Sequence, residues 1–281
     1  MVNLEFWKMH GLGNDYVVFD DRNGAVQRRD PSSLAKKLCR RRFSVGADGL
    51  LLLCNPTAEG ADLKMRIFNK DGSEAEMCGN GIRCIAKFAY EKGVLRKESL
   101  IVETKAGLKK VWLKLKGGGV EEVKVDMGRP SFDRGAIPML GEGAPVNEKI
   151  NVGGKVFEAT CLSIGNPHCV IFVDDLERFP VGEVGPKIET HPLFPNRVNV
   201  EFVEVLRKDL LNVRVWERGC GETLACGTGA CASAAAGKLT GKTWDKVNVK
   251  LRGGALRIEM GGWRVLMAGP AAKAFEGKVE I

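Results

Sequence analysis

The stretch EAEMCGNGIRC, residues 74–84, sets a cysteine directly before a glycine-rich turn, and ETLACGTGAC, residues 222–231, does so again. Cys226 lies 148 residues after Cys78. In that register MRIFNKDGSEAEMCGNG (residues 65–81) faces NVRVWERGCGETLACGTG (residues 212–229), so that Arg66 meets Arg214, Phe68 meets Trp216 and Glu74 meets Glu222. Upstream of each copy, GNDYVVF (residues 13–19) matches GNPHCVIF (residues 165–172) at an offset of 152. Two long units in the same order indicate an internal duplication and not a solenoid of short repeats.

The local structure follows from periodicity. Met65 and Ile67 alternate with Lys64 and Arg66 and run into Asn-Lys-Asp-Gly, a strand followed by a turn; LNVRVWERG (residues 211–219) repeats that pattern. After each cysteine the spacing becomes helical. Ile82, Ile85, Ala86 and Ala89 share one face of a helix that stops at Gly93, and the alanine-rich GACASAAAGKLTG (residues 229–241) suits a helix packed on all sides. KVWLKLK (residues 110–116) and GALRIEM (residues 254–260) read as strands, residues 117–119 as a hairpin tip and MLGEGAP (residues 139–145) as a loop. The expected fold is α+β: two pseudo-symmetric domains, each a sheet or barrel wrapped around a central helix, with a cysteine at the helix amino terminus. The crossover falls near Met127 and Gly128, giving domains of residues 1–127 and 128–271.

A chain of 281 residues, 44% hydrophobic and 28% charged, has the material for two ordinary globular cores. No apolar run approaches a membrane span, and the amino terminus reads as a strand entering a glycine turn, without a secretory signal; the expected location is the cytoplasm. Nine scattered cysteines suit free thiols in a reducing compartment, with Cys39, Cys54, Cys161 and Cys169 as small buried hydrophobes. With no CxxC pair and three histidines, no metal is expected. The net charge of +8 is densest at KKLCRRRF (residues 36–43), read as the solvated face of a short helix starting near Asp30 and Pro31. Without aromatic interleaving or a nucleic-acid motif, a nucleic-acid partner is not expected.

A thiol at a helix amino terminus feels the positive end of the dipole and unpaired amides, both of which favour thiolate, so each cysteine is expected to have a lowered pKa. The glycines after it let amides approach a carboxylate. One such site would serve a cysteine-nucleophile hydrolase with His168, but that leaves the second copy unexplained. Two such sites suit inversion of a carbon centre, one sulfur removing a proton from one face while the other returns a proton to the opposite face.

Together KMHGLGNDY (residues 8–16), IFNKDGSEAEMCGNGIRC (67–84), GNPHCV (165–170), RVNVEF (197–202) and ERGCGETLACGTGAC (217–231) resemble the diaminopimelate epimerase family. The resemblance implies a cofactor-independent isomerase that interconverts LL- and meso-diaminopimelate in lysine and cell-wall precursor synthesis, with a small-molecule partner, an active site in the interdomain cleft and a homodimeric assembly. It implies that Cys78 and Cys226 are the two bases and that Asn14, Asn69, Asn166 and Asn199 line the pocket. Gly79 with Asn80, and Gly227 with Thr228, would meet the reacting carboxylate; Glu217 and Arg218 would meet the distal amino-acid head; His168 and Glu217 would tune the thiols. It also implies that the last strand, residues 272–281, returns to the first domain. A proline-racemase-like or phenazine-pathway-like isomerase is the nearest alternative, disfavoured by Asn80 and by the pair Glu217 and Arg218. The chain departs from the family at Gly49, where some relatives carry glutamine, and at Cys220, where many have a smaller apolar residue. Glu74 and Glu222 are read as loop supports.

Overall fold

The buried run Gly49–Cys54, GLLLLC, can be apolar throughout because a strand with neighbours on both sides and a helix across its face has no solvent side. The computed structural model describes residues 3–280. In chain order the elements are β1 (Asn3–Gly11), β2 (Asn14–Asp20), α1 (Pro31–Leu38), β3 (Gly49–Cys54), β4 (Leu63–Asn69), β5 (Glu74–Ala75), α2 (Gly79–Glu91), β6 (Ser99–Thr104), β7 (Gly107–Lys116) and β8 (Gly119–Gly128). They continue as β9 (Glu148–Val152), β10 (Lys155–Ser163), β11 (Pro167–Phe172), α3 (Val181–Glu189), β12 (Asn199–Arg207), β13 (Leu210–Glu217), β14 (Gly221–Thr223) and α4 (Gly227–Leu239). The last strands are β15 (Lys246–Leu251), β16 (Gly254–Gly261), β17 (Arg264–Gly269) and β18 (Ala272–Glu280). The chain divides into two units, one running to Asp126 and taking up the chain again at Ala268, the other Met127–Met267.

In the first unit β1 pairs antiparallel with both β18 and β2, β2 parallel with β3, β3 antiparallel with β4, and β4 parallel with β6. In the second, β10 pairs antiparallel with β11, β11 parallel with β12, β12 antiparallel with β13, and β13 parallel with β15. The two units therefore share one connectivity, as the repeat requires. The Gly-Asn turns match in detail, since Gly13 (φ 88°) and Gly165 (φ 90°) both take the left-handed conformation that glycine adopts without steric cost.

Each unit buries a helix after its cysteine. Most of α2, from Gly79 to Ala89, is buried, including the fully enclosed Arg83, whose guanidinium donates to the carbonyls of Gly79 and Pro270 and to Asn80 Oδ1. Helix α4 is alanine-rich and buried on nearly every side, as its composition indicates. Glutamates 74 and 222 are loop braces: Arg66 Nε donates to Glu74 Oε1 at 2.7 Å and Arg214 Nε to Glu222 Oε1 at 2.8 Å, the same pair in the same place. Cys39, Cys54, Cys161 and Cys169 are buried, and burial pushes the Cys39 and Cys54 thiols up to about 12.

Helix α3 has no counterpart in the sequence reading, because VGEVGPKIE carries two glycines and an internal proline, residues that ordinarily argue against a helix. It forms because Val181 and Ile188 enter the core of the second unit and because Gly185 admits Trp216. A Cβ at Gly185 would stand 2.7–2.9 Å from three atoms of Trp216, whose indole donates to Glu189 Oε2 at 2.7 Å. At Gly182 a Cβ would meet nothing within 4 Å. Gly182→Ala is therefore expected to stabilise the fold by about 0.5–1 kcal/mol through helix propensity. Gly185→Ala is expected to destabilise it by about 1–3 kcal/mol, since overpacking outweighs that gain. Urea unfolding of both variants reads the opposite signs.

Candidate active site

Cys78 and Cys226 are the N-cap residues of α2 and α4, both in extended backbone conformation. That geometry lets a strand end turn into a buried helix, whose first amides have no partner inside the helix; the Cys226 side chain accepts from one of them, and the Cys78 side chain makes no such cap bond. A glycine three residues on allows the close approach. A Cβ at Gly81 would lie 3.2 Å from Leu51 Cδ2, and one at Gly229 would lie 2.7 Å from Glu201 Oε1.

The surroundings of the two sulfurs differ. In the first unit, Cys78 is half-buried and its Sγ lies 3.0 Å from the hydroxyl of Tyr16. That hydroxyl also donates to Asn14 Oδ1, which accepts from Asn80 Nδ2 at 3.2 Å. Asn14 is held from behind by Asp48, which accepts from Asn14 Nδ2 at 3.0 Å. Arg41 bridges Asp48 and Asp15, and Lys8 pairs with Asp15. Burial would raise the Asp15 carboxyl, but Lys8 and Arg41 outweigh it and hold it below the usual carboxylate range. One arginine of the basic segment thus braces the Asn14 turn. Lys36, Lys37 and Arg40 instead line an open depression with Phe43 and two serines, which carries no thiol, imidazole or carboxylate.

In the second unit Cys226 is buried; its Sγ accepts from the Gly229 amide at 3.3 Å and lies 3.4 Å from Thr228 Oγ1. Asn166 Nδ2 donates to Thr228 Oγ1 at 3.2 Å, and Asn166 Oδ1 lies 3.0 Å from His168 Nε2. The other ring nitrogen, Nδ1, is 2.7 Å from Glu201 Oε1, with both side chains fully enclosed. The lowered pKa expected from the helix dipole does not hold for Cys226. Burial, then the negative charges of Glu217 and Glu201, push its thiol well above the ordinary value, outweighing the bonds from Thr228 and Gly229. Glu217 is itself raised, by burial first and by the charge of Glu201, against the Thr223 hydroxyl, His168 and Cys226.

The remaining expected residues fall into two groups. Asn14, Gly79 and Asn80 gather around Cys78; Asn166, Gly227, Thr228 and Glu217 gather around Cys226. Asn199 is buried and already engaged, its amide donating to Pro167 O at 2.7 Å and its Oδ1 accepting from the Arg218 backbone at 2.9 Å, so it fixes the chain beneath Arg218. Arg218 and Asn69 are exposed, and Asn69 Nδ2 donates to Ser73 Oγ at 3.0 Å. The ring nitrogens of His168 face Glu201 and Asn166. Cys220 is exposed. Gly49 admits no side chain, since a Cβ would meet Phe68 O at 2.7 Å and Tyr16 Cε1 at 3.3 Å. Tyr16, Asp48 and Glu201 were not singled out in the sequence; the repeat held a signal for the first, because Tyr16 aligns with His168.

Residues 6–132 and 160–273 match the family described as diaminopimelate epimerase. The chain belongs to the diaminopimelate epimerase family. It is 54% identical to the diaminopimelate epimerase of Moorella thermoacetica over 280 residues, 98% of each chain. Identity to that of Methanococcus maripaludis is 45% over 281 residues, 99% of this chain and 100% of the relative. Among solved structures, a hydroxyproline epimerase from Agrobacterium vitis with bound trans-4-hydroxy-L-proline superposes with a TM-score of 0.74 at 15% identity, covering 99% of this chain and 91% of that one. A phenazine biosynthesis protein of the PhzF family from Bacillus anthracis gives 0.72 at 20% identity, covering 100% of both. These place the α+β architecture in the same fold as the hydroxyproline epimerase and the PhzF-family protein. As a diaminopimelate epimerase family member the chain is an isomerase. No helix among the described residues is long and apolar enough to cross a membrane.

The electrostatics of Cys226 yield a test. A raised thiol pKa means less thiolate at a given pH, so alkylation by iodoacetamide should be slow at neutral pH and rise only in alkaline solution. Removing the Glu217 charge in Glu217→Gln should shift that rise to lower pH and speed Cys226 alkylation at pH 8 by about 3- to 10-fold, as expected for loss of a nearby like charge. Peptide mass mapping separates Cys226 from the exposed Cys220.

Proposed function

We propose that the chain carries out its diaminopimelate epimerase reaction, LL to meso and back, by a two-base mechanism in which Cys78 and Cys226 are the two bases, acting on opposite faces of the substrate's α-carbon. The observation that carries this reading is the cysteine N-cap found at the same point of two units with one connectivity. Because both proton-transfer groups are side chains of this chain, the scheme calls on no cofactor.

In one direction the Cys78 thiolate takes the α-proton and the Cys226 thiol gives its proton to the opposite face; in the other direction the roles exchange. The raised pKa of Cys226 supports this, since a buried sulfur beside two carboxylates holds a proton ready to donate. Charge building on the reacting carboxylate would be met by the opening amides of α2 and α4, at Gly79 and Asn80 and at Gly227 and Thr228. Donors aimed in advance in a water-excluded site contribute several kcal/mol. Asn14 and Asn166 orient these turns. Glu217 and Arg218, with Asn69 and Asn199, would recognise the distal amino and carboxylate groups, and Glu217 with His168 would set the charge around Cys226. The reading places the enzyme in the cytoplasm, as a homodimer, at the step that supplies meso-diaminopimelate for lysine and cell-wall precursor synthesis.

Early in an incubation with LL-diaminopimelate in D₂O, with no cofactor added, the meso product should carry deuterium at the inverted centre and none at the other. Cys78→Ser and Cys226→Ser should each lower inversion by about 10²- to 10⁴-fold, the range for loss of a general acid or base. Near-normal turnover in either variant would remove that cysteine from the mechanism. Absence of exchange with all thiols reduced would move the substrate assignment to another amino acid of the same fold class.

A further inference from the structure

Tyr16 and His168 occupy one place in the two repeats and differ in chemistry. Each lies two residues after its Gly-Asn turn, each is buried, and each sits on a strand with a parallel neighbour, Tyr16 opposite Gly49 and His168 opposite Asn199. Each turns back to the asparagine of its own turn. In the second unit the histidine then engages a buried carboxylate, Glu201; in the first, the phenol reaches a sulfur, 3.0 Å from Cys78 Sγ.

A phenol has one proton, and two acceptors lie within its reach, Asn14 Oδ1 and Cys78 Sγ. Asn14 Oδ1 does not depend on Tyr16, because Asn80 Nδ2 also donates to it at 3.2 Å. The hydroxyl can therefore turn from one acceptor to the other without leaving a buried oxygen unpaired. The ring cannot follow, since it packs into the space left by the missing side chain of Gly49, where a Cβ would come within 3.3 Å of Tyr16 Cε1. Burial, and then the charge of Cys78, push the phenol well above its ordinary pKa, so it acts here as a donor and not as a base.

We propose that Tyr16 is the positioning residue of the Cys78 thiolate, its hydroxyl turning from Asn14 to Sγ when the thiol ionises and holding the sulfur in place for proton transfer. This rests on the reading of Cys78 as one of the two bases. When Sγ takes the substrate α-proton, Tyr16 keeps its own proton and swings back to Asn14 Oδ1, and the Cys78 S–H is left free to donate to the phenol oxygen. No charge is stranded on the ring. The two halves of the enzyme thus use the same position for different ends: a neutral, rotatable donor beside one sulfur, and an imidazole fixed by a carboxylate behind the other.

Tyr16→Phe keeps the ring and removes the hydroxyl. Alkylation of Cys78 by iodoacetamide, followed by peptide mass, should then fall about tenfold at pH 7, the size expected for loss of a hydrogen bond to a charged group, with its pH profile displaced to higher pH. Epimerisation should show the same displacement, with kcat/KM falling by one factor in both directions as the equilibrium requires, and should recover in alkaline buffer. A loss of packing alone would lower activity without moving the profile, and an unmoved alkylation profile overturns the proposal. Cys78→Ser separates the two readings: if it turns over normally, the base assignment fails; if it is inactive while the Tyr16→Phe profile stays put, only the role of Tyr16 fails. A second measurement avoids any folding defect of Tyr16→Phe. The chain has two tyrosines, Tyr16 and Tyr90, so 3-fluorotyrosine incorporated into Tyr90→Phe labels Tyr16 alone. Its fluorine resonance should titrate in step with Cys78 alkylation and cease to titrate when Cys78→Ser is added; a resonance that ignores that substitution overturns the proposal.

Discussion

A helix whose amino terminus is buried among strands brings with it amides that find no partner within the helix, and the strand end that feeds it must turn sharply without a bulky side chain in the way. In both units an extended cysteine holds the N-cap position, its sulfur accepting from an amide of the helix in α4 and from none in α2. A glycine three residues later lets the helix pack against a strand, Gly81 against Leu51 and Gly229 against Glu201. The cysteine and the packing solution are therefore one device. A Cβ at Gly229 would come within 2.7 Å of Glu201 Oε1 and one at Gly81 within 3.2 Å of Leu51 Cδ2, so a side chain at either position crowds the helix start.

Around that shared device the two units have diverged in charge. The first places a phenol, amide side chains and the enclosed Arg83 near its cysteine. The second places two carboxylates and an imidazole near its own, and lines its helix with alanines. The connectivity is held by backbone pairing and by the repeated Arg66–Glu74 and Arg214–Glu222 braces. Neither depends on which polar groups sit beside the sulfur, so those groups can differ while the connectivity stays the same.

The duplication, the strands and the two central helices were legible because each rests on local pattern: alternation, turn residues and an apolar helical face. Helix α3 was not, since its glycines and proline read as breakers and the reason for Gly185 is an indole distant in sequence. Tyr16 looks like any aromatic in a strand, and Glu201 in RVNVEF like a polar residue alternating toward solvent, although it is fully buried. The upward shift of Cys226 was out of reach for the same reason. The helix dipole can be inferred from a motif, whereas burial and the nearness of Glu217 and Glu201 arise from strands brought together by folding. The role of Arg41 was likewise hidden in a basic run, since its partners Asp15 and Asp48 come from two other segments.

On the two-base reading, the divergence answers a requirement that symmetry alone cannot meet. Inversion needs one sulfur with a proton and one without, so that a proton leaves one face as another arrives at the opposite face. Two identical thiols titrate alike, so away from their common pKa most of the molecules would hold both sulfurs in the same state. Carboxylates around Cys226 favour the thiol there, whereas the neighbour of Cys78 is a neutral phenol whose proton lies within reach of the sulfur. Duplication supplies two helix starts that each carry a cysteine; the unlike residues at matching positions supply different surroundings for the two sulfurs.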